Sequence, residues 1–188
     1  MASNLINLYD SNETDFNNNG LVVLSDCKAA FVEEMLNDKY ELDLEYPIDK
    51  RGKWAYIVEG NIIKADGQLF RIYHKEKTLS GIKINARHIF YDLLNNFVES
   101  CSIGNLNGAG ALNAILSNTQ YAHSFTSMSD IDPSNTYAID KQNPVDAIMG
   151  ENGVISKYGG ELVRDNLLFV CFKLGEWIEG YSFLMAKM

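Results

Sequence analysis

The sequence predicts an α+β fold that is rich in β-structure, and three patterns along the chain lead to this prediction. Residues Tyr40–Tyr46 alternate between apolar and acidic side chains, a period of two that is typical of a strand with one buried face. Residues 90–97 instead place apolar side chains at the i, i+3, i+4 and i+7 positions of a helix. Residues 167–172 form a short apolar run, which indicates a strand that is covered on both faces.

The first half of the chain consists of short apolar segments separated by turn residues, as in a small barrel or sandwich. Five strands are predicted there, over residues 5–9, 21–24, 40–46, 68–74 and 81–85. An Asn-Asn-Asn-Gly turn at residues 17–20 separates the first two, because Asn and Gly tolerate positive φ. Pro47 ends the third strand.

Helical spacing begins after Ala86. The buried face of the first predicted helix consists of four apolar residues: Phe90, Leu93, Leu94 and Phe97. A second helix is predicted from about Asn107, with an apolar face of Leu112, Ile115 and Leu116. Residues 121–128 are predicted to form another strand.

A third helix is predicted to start at Asn143 and to stop at Gly150. Asn143 precedes Pro144, which is the order of an N-cap and a first helical position. Asp146 then lies near the positive end of the helix, where a carboxylate is favourable.

The last part of the chain returns to β-structure, with strands predicted over residues 160–163 and 167–172 and a turn at residues 164–166. Gly159 and Gly160 would allow positive φ or a close backbone approach just before the first of these strands. A domain of this size has little core with which to cover both faces of the second strand. We therefore expect its apolar side chains to lie at a subunit interface: Leu167, Phe169, Val170 and Phe172.

These elements suggest three segments. Residues 1–86 are predicted to form an N-terminal β-barrel-like domain, and residues 87–150 a helical or mixed insert domain. Residues 151–188 are predicted to form the start of a second β-domain, and truncation of that domain is left open.

Composition and charge exclude several classes of protein. The 188 residues carry a formal net charge of −9, and an acidic surface repels phosphate, so specific nucleic-acid binding is not expected. The first residues lack the basic and apolar regions of a signal peptide, and no apolar run approaches the length of a membrane anchor. Three widely spaced cysteines suit a reducing cytosol with free thiols.

The sequence predicts no catalytic residues, no cofactor-binding residues and no metal ligands. The glycine-rich residues 104–110 lack the Gly-Lys-Ser/Thr ending of a phosphate loop, so a flexible start to the next helix is favoured. His88 is interpreted as a side chain that bonds to nearby backbone. Cys101 paired with His88 or His123 remains an open but disfavoured alternative, because buried free cysteine is the usual case.

Two further patterns are interpreted as structural. Asp130 and Asp132 belong to an oxygen-rich turn that lacks the central glycine and closing glutamate of a calcium loop. Four aromatic residues are candidates for a sugar or peptide groove, although such residues are more typical of a core or an interface: Trp54, Tyr56, Tyr73 and Tyr91.

Ordered landmarks carry a family resemblance. From the N-terminus they read Leu8-Tyr9-Asp10, Thr14-Asp15-Phe16, Asn19-Gly20-Leu21, Asn37-Asp38-Lys39-Tyr40-Glu41-Leu42, Glu45-Tyr46-Pro47, Ile62-Ile63-Lys64-Ala65, Gln68-Leu69-Phe70-Arg71-Ile72, Ala86-Arg87-His88-Ile89-Phe90-Tyr91-Asp92-Leu93, Tyr158-Gly159-Gly160-Glu161-Leu162 and Arg164-Asp165-Asn166. In this order the chain resembles, from about Leu5 to Phe172, the N-terminal region of the phage minor structural protein family. That family is also called the prophage endopeptidase tail or tail-associated lysin family.

The resemblance implies a baseplate-hub-like fold, in which a tube-type β-barrel domain is followed by a mixed helix and strand domain. It implies a homotrimer that joins the tail tube to the tail tip, in contact with the distal tail protein and the tape-measure protein. DNA would pass through the lumen of this ring. The location would be the virion tail, assembled in the bacterial host cytoplasm.

Relatives often carry a lysin downstream of this region, whereas after Leu174 the present sequence departs from the family pattern. The sequence therefore predicts a structural protein and not an enzyme. The alternatives are a cell-wall-degrading tail peptidase and a receptor- or glycan-binding tail module.

Overall fold

The computed structural model describes residues 5–175, which divide into two compact units. Unit 1 comprises residues 5–95 together with Asp165–Leu167, and unit 2 comprises residues 96–164 and 168–175. The three-segment division expected from the sequence remains a prediction about the domains of the protein. The α+β, β-rich fold class predicted from the sequence is confirmed.

Unit 1 is built on one antiparallel sheet of seven strands in the order β2-β1-β5-β6-β7-β4-β3, curled into a half-barrel. The strands are β1 (Asn7–Tyr9), β2 (Val22–Val23), β3 (Ala29–Glu34), β4 (Tyr40–Tyr46), β5 (Ile62–Ala65), β6 (Gln68–Lys77) and β7 (Ile82–His88). Two 3₁₀ helices accompany the sheet: Lys53–Tyr56 lies between β4 and β5 in sequence, and Ile89–Asn95 follows β7.

Alternation of side chains decides which face of this sheet is the core. In β4 the apolar Leu42 and Leu44 are buried, whereas Asp43 between them is exposed on the wet face, as the period of two predicted. Phe70 and Ile72 of β6 enter the same core. Burial of this apolar face is the main stabilising contribution to unit 1.

The first predicted helix is a 3₁₀ helix. Its expected apolar face is wrong at Leu94 and at Phe97. Phe90 and Leu93 are buried, but Leu94 is 40% exposed and Phe97 is half-buried in the chain beyond the helix. Three residues per turn align i with i+3, so Phe90 and Leu93 share a face and Leu94 turns away. An α-helical period of 3.6 would have placed all four on one stripe.

This geometry predicts opposite outcomes for two adjacent leucines. Leu93→Ala should lower the free energy of unfolding by about 2–5 kcal/mol, because it removes a fully packed side chain. Leu94→Ala should change it by less than about 0.5 kcal/mol, as for other exposed positions. Urea unfolding of the two variants measures both values. A larger loss from Leu94→Ala than from Leu93→Ala would contradict the 3₁₀ assignment.

Unit 2 combines three helices with five strands in its described residues. They are β8 (Val98–Leu106), α1 (Gly108–Ser117), β9 (Thr126–Ser129), β10 (Asn135–Gln142), α2 (Pro144–Met149), α3 (Val154–Tyr158), β11 (Glu161–Asp165) and β12 (Leu168–Phe172). The turn after β11 is counted with unit 1. β10 pairs with β8, and β12 lies between β11 and β9.

The helix starts of unit 2 follow the predicted capping chemistry. The Asn107 side chain accepts a hydrogen bond from Gly110 N at 2.9 Å, so residues 104–110 lead into a capped helix. The Asn143 side chain accepts from Asp146 N at 2.9 Å, with Pro144 at the first helical position. Both predicted helix starts are therefore confirmed.

The predicted C-terminal strand pair is also confirmed, as β11 and β12. Gly159 and Gly160 both have positive φ, and a Cβ on Gly160 would lie 2.4 Å from Phe172 O. Glycine is favoured at both positions by the positive φ. At Gly160 it is also required because β12 approaches closely.

Four strands were not predicted: β3, β5, β8 and β10. In β3 every side chain except the half-buried Val32 is exposed, so no alternating pattern marks the strand. β8 and β10 pair with an irregularity between Asn135 and Tyr137, which interrupts the period of two. The predicted strand over residues 121–128 is observed only as β9, from Thr126 onward.

Candidate assembly surfaces

The most exposed part of the sheet in unit 1 is its outer edge, strand β3. Phe31 on this strand is 64% exposed, and the turn that leads into β4 carries Met35 and Leu36, which are 44% and 60% exposed. Large apolar side chains in such a cluster are typical of a protein interface. We call β3 and this turn, residues 29–36, the edge surface.

The backbone of β3 leaves hydrogen-bonding groups pointing outward. β3 pairs antiparallel with β4, with Phe31 opposite Asp43, and Met35 N donates to Lys39 O at 2.8 Å in the same register. Because these bonds alternate along an antiparallel pair, Phe31 turns its peptide groups toward β4. Ala30 and Val32 turn theirs away from the sheet, so the edge can accept another strand.

The opposite edge of the sheet offers fewer backbone groups for pairing with another strand. β2 contains only two residues, Val22 and Val23. Lys53 Nζ donates to Val23 O at 2.9 Å and lies 3.8 Å from Asp26 Oδ2. The Lys53 side chain therefore occupies part of that edge. Short strands and lysine side chains are two ways in which proteins block edge pairing.

The solvent face beside the edge surface is held by cross-strand polar contacts. Arg87 Nε donates to Glu41 Oε1 at 3.2 Å, and its guanidinium lies 4.5 Å from the centre of the Tyr73 ring. Burial raises the pKa of Tyr73, and the neighbouring Glu41 carboxylate adds to the rise. Exposed pairs of this kind contribute only about 0–1 kcal/mol each, so their main effect is to keep this face polar.

The residues predicted from the sequence as interface side chains lie in β12 and in the turn before it. Phe169, Val170 and Phe172 are buried within the chain, and Leu167 is half-buried in the turn. β12 is the central strand of its three-stranded sheet, parallel to β9 with Val170 opposite Met128. Their own chain therefore covers much of these side chains, and their role at an interface remains a prediction.

His88 is tied into the core of unit 1. Its Nδ1 accepts a hydrogen bond from Phe90 N at 3.2 Å, and its Nε2 lies 3.1 Å from Gln68 Oε1. These partners assign the proton to Nε2 of a neutral ring. The ring stacks on Tyr40 at 4.7 Å. The interpretation of His88 as a backbone-bonded side chain at a helix start is thus confirmed.

His123 uses both of its ring nitrogens in backbone contacts. His123 Nδ1 accepts from Phe125 N, and Nε2 lies 3.2 Å from Leu116 O. Cys101 Sγ accepts from Asn118 Nδ2 at 3.7 Å, and burial raises the pKa of the thiol. This geometry does not supply the activated thiolate and base of a cysteine nucleophile.

The remaining candidate sites have structural partners. Asp132 pairs with Lys173 Nζ at 2.9 Å, and Asp130 Oδ1 accepts from Lys173 N. Within residues 5–175, no group of three or more acidic, histidine or cysteine side chains could hold a metal ion. In the same range, no helix is long and apolar enough to cross a membrane.

The predicted aromatic groove residues have different environments. Trp54 and Tyr91 pack against the core of unit 1, whereas Tyr56 and Tyr73 are 52% and 44% exposed. Lys77 Nζ lies 5.3 Å from the centre of the Trp54 ring. Packing of this kind favours the core interpretation for two of the four residues.

The fold is similar to the folds of two solved tail proteins. Over 91% of this chain and 51% of the other, it superimposes on the prophage tail protein gp18 from Listeria monocytogenes EGD-e, with a TM-score of 0.68 and 15% identity. The tail protein from Neisseria meningitidis MC58 gives a TM-score of 0.60 at 7% identity, over 89% of this chain and 49% of that one. The chain thus spans about half the length of both solved structures.

Residues 8–91 match the family described as the prophage endopeptidase tail N-terminal domain. This match confirms the family resemblance that was predicted from the sequence. No curated protein matches the chain. Family and fold together support a structural role in a phage or prophage tail.

Proposed function

We propose that this protein is the N-terminal region of a baseplate hub, a structural component of a bacteriophage or prophage tail tip. It forms a homotrimeric ring that joins the tail tube to the tip. The observation that carries this proposal is the edge surface, an open strand with exposed apolar residues on a tail-protein fold.

The two edges of the unit 1 sheet differ, and the proposed ring uses the edge at β3 and not the edge at β2. A closed ring of identical subunits uses a heterologous contact, in which one surface meets a different surface of the next copy. The long edge at β3 is open, whereas β2 is short and partly occupied by Lys53. In the proposed ring the outward peptide groups of Ala30 and Val32 on β3 bond to a surface of the neighbouring subunit other than its β2 edge.

The proposed ring is not catalytic. Its partners are further copies of the chain, the distal tail protein and the tape-measure protein, and it is located in the virion tail. The net charge of −9 keeps the lumen from attracting phosphate, so DNA passes without specific binding. Leu167, Phe169, Val170 and Phe172 form a second proposed contact between subunits.

Substitution of Ala30 tests the edge surface. Ala30→Lys places a charge at the strand edge, and Ala30→Pro removes an outward N–H without removing a bond to β4. Both should raise the dissociation constant of the oligomer at least about tenfold, because pairing loses strand hydrogen bonds. Sedimentation equilibrium measures this constant.

The matched control is Ala55→Lys, which introduces the same charge at an exposed position in the 3₁₀ helix Lys53–Tyr56. It should leave the dissociation constant unchanged. Oligomers of equal stability in all three variants would show that β3 does not join subunits. Far-ultraviolet circular dichroism confirms that each variant is folded.

A further inference from the structure

A polar cavity in unit 1 lies between the loop that follows β1 and strand β5. Its volume is about 380 Å³, and its lining includes Asn7, Phe16, Asn19, Lys64 and Asp66. Ligand cavities in proteins span roughly 300–1,000 Å³, and most have apolar walls. The polar lining here points to a ligand that carries many hydrogen-bonding groups.

The wall of this cavity is held in place by its own hydrogen bonds. Tyr9 OH donates to Asn18 O at 2.7 Å, and Asn18 Nδ2 donates to Asp15 O at 2.8 Å. Gly20 N donates to Asn18 Oδ1 at 2.6 Å, and Lys64 Nζ donates to Phe16 O at 2.9 Å. A loop that is fixed before binding loses less conformational entropy when a ligand arrives.

Three side chains at the cavity can form further hydrogen bonds with a ligand. Asn7 Oδ1 is buried without a hydrogen-bond partner among the described residues, an arrangement that is uncommon in proteins unless water or a ligand supplies the donor. Lys64 uses one of its three N–H groups on Phe16 O. The Asn19 amide stands exposed on the wall. These groups can both donate and accept.

The charges and the aromatic ring narrow the class of ligand. The Lys64 ammonium and the Asp66 carboxylate offset each other, so the cavity does not select for a charged molecule. Phe16 packs edge-on against Tyr9 at 5.2 Å and is half-buried, which leaves part of its ring at the cavity. Hydroxyl groups beside apolar C–H faces are the features of a sugar.

We infer that this cavity is a binding site for one unit of a neutral saccharide. The Asn7 and Asn19 side chains bond to sugar hydroxyls, Lys64 donates to a ring or hydroxyl oxygen, and Phe16 contacts the apolar face of the ring. Within a tail tip, such a site would hold the protein against a glycan of the host surface. The inference concerns unit 1 alone and does not depend on ring assembly.

Saturation-transfer difference NMR with the whole chain tests this inference, because it detects ligands that bind weakly and exchange rapidly. The probes are glucose, galactose, rhamnose and N-acetylglucosamine, with glucuronate and inorganic phosphate as charged comparisons. At least one neutral sugar should give signals, and its affinity should exceed that of both charged probes. Preference for phosphate or glucuronate, or no signal from any neutral sugar, would overturn the inference.

Variants locate the site. Asn19→Ala and Lys64→Met should each weaken binding of the detected sugar about tenfold, the effect of losing one or two hydrogen bonds. Asn12→Ala makes the same change as Asn19→Ala on the same loop, outside the cavity lining, and should bind as the wild type does. Equal affinity in all four proteins would place any binding elsewhere and contradict the inference. The oligomer mass, measured on the same samples, separates this result from failure of the ring proposal.

Discussion

Val170→Asp is expected to unfold unit 2. Val170 is 5% exposed in the central strand of a three-stranded sheet, between β11 and β9. A carboxylate placed there loses its hydration without gaining a partner, which should cost at least about 4 kcal/mol. The expected result is loss of the cooperative thermal transition of unit 2, or insoluble protein, measured by circular dichroism and light scattering.

Met128→Asp is the matched control, because Met128 lies directly opposite Val170 on β9 and is 56% exposed. It should shift the transition by only a few degrees, as expected for a change of about 1 kcal/mol or less. A Val170→Asp protein that stays folded but changes from oligomer to monomer would contradict the expected unfolding. It would support instead the interface role that the sequence predicts for this strand.

Phe70→Ala should have the second largest effect, on unit 1. The Phe70 side chain is fully buried and packs edge-on against Tyr40 at 5.3 Å and against His88 at 5.7 Å. Its removal leaves a cavity beneath the sheet and should lower the free energy of unfolding by about 3–5 kcal/mol. Chemical denaturation of the variant and the wild type gives the difference.

Phe31→Ala makes the same change on the edge surface of the same sheet, where Phe31 is 64% exposed. We expect the stability of the isolated subunit to change by less than about 0.5 kcal/mol. Association should weaken, because Phe31 belongs to the proposed interface. If both phenylalanine variants lost equal stability, the assignment of core and edge faces in this sheet would be wrong.

Much of the fold could be predicted because local chemistry and tertiary position agree. β4 alternates strictly, so its period of two identified the core face directly. The starts of α1 and α2 carry asparagine caps whose bonds lie within four residues. Patterns of this kind depend on neighbouring residues and are visible in the sequence alone.

The elements that were missed depend on distant partners. β3 is defined by its pairing with β4, and its side chains are exposed on both faces, so its sequence has no periodic signal. The residues 89–95 form a 3₁₀ helix although their apolar spacing also fits an α-helix, and the two differ at Leu94. Short apolar runs are ambiguous in this way.

The candidate surfaces were predicted less well than the fold. The apolar run at β12 was predicted to lie at an interface because it is continuous. In the structure β9 and β11 flank it, and most of its side chains are buried. The edge surface was not predicted because Ala29, Ala30 and the two glutamates of β3 form no periodic pattern in the sequence. An unpaired strand edge becomes visible only when the strand order of the sheet is known.

The mass of the wild-type protein in solution tests the central claim most directly. Light scattering coupled to size-exclusion chromatography, at several concentrations, should give three times the 21.1 kDa mass of the chain. The trimer should lose mass toward the monomer on dilution and in the Ala30→Lys variant. A wild-type protein that remains a strict monomer at the highest soluble concentration would contradict the proposed ring.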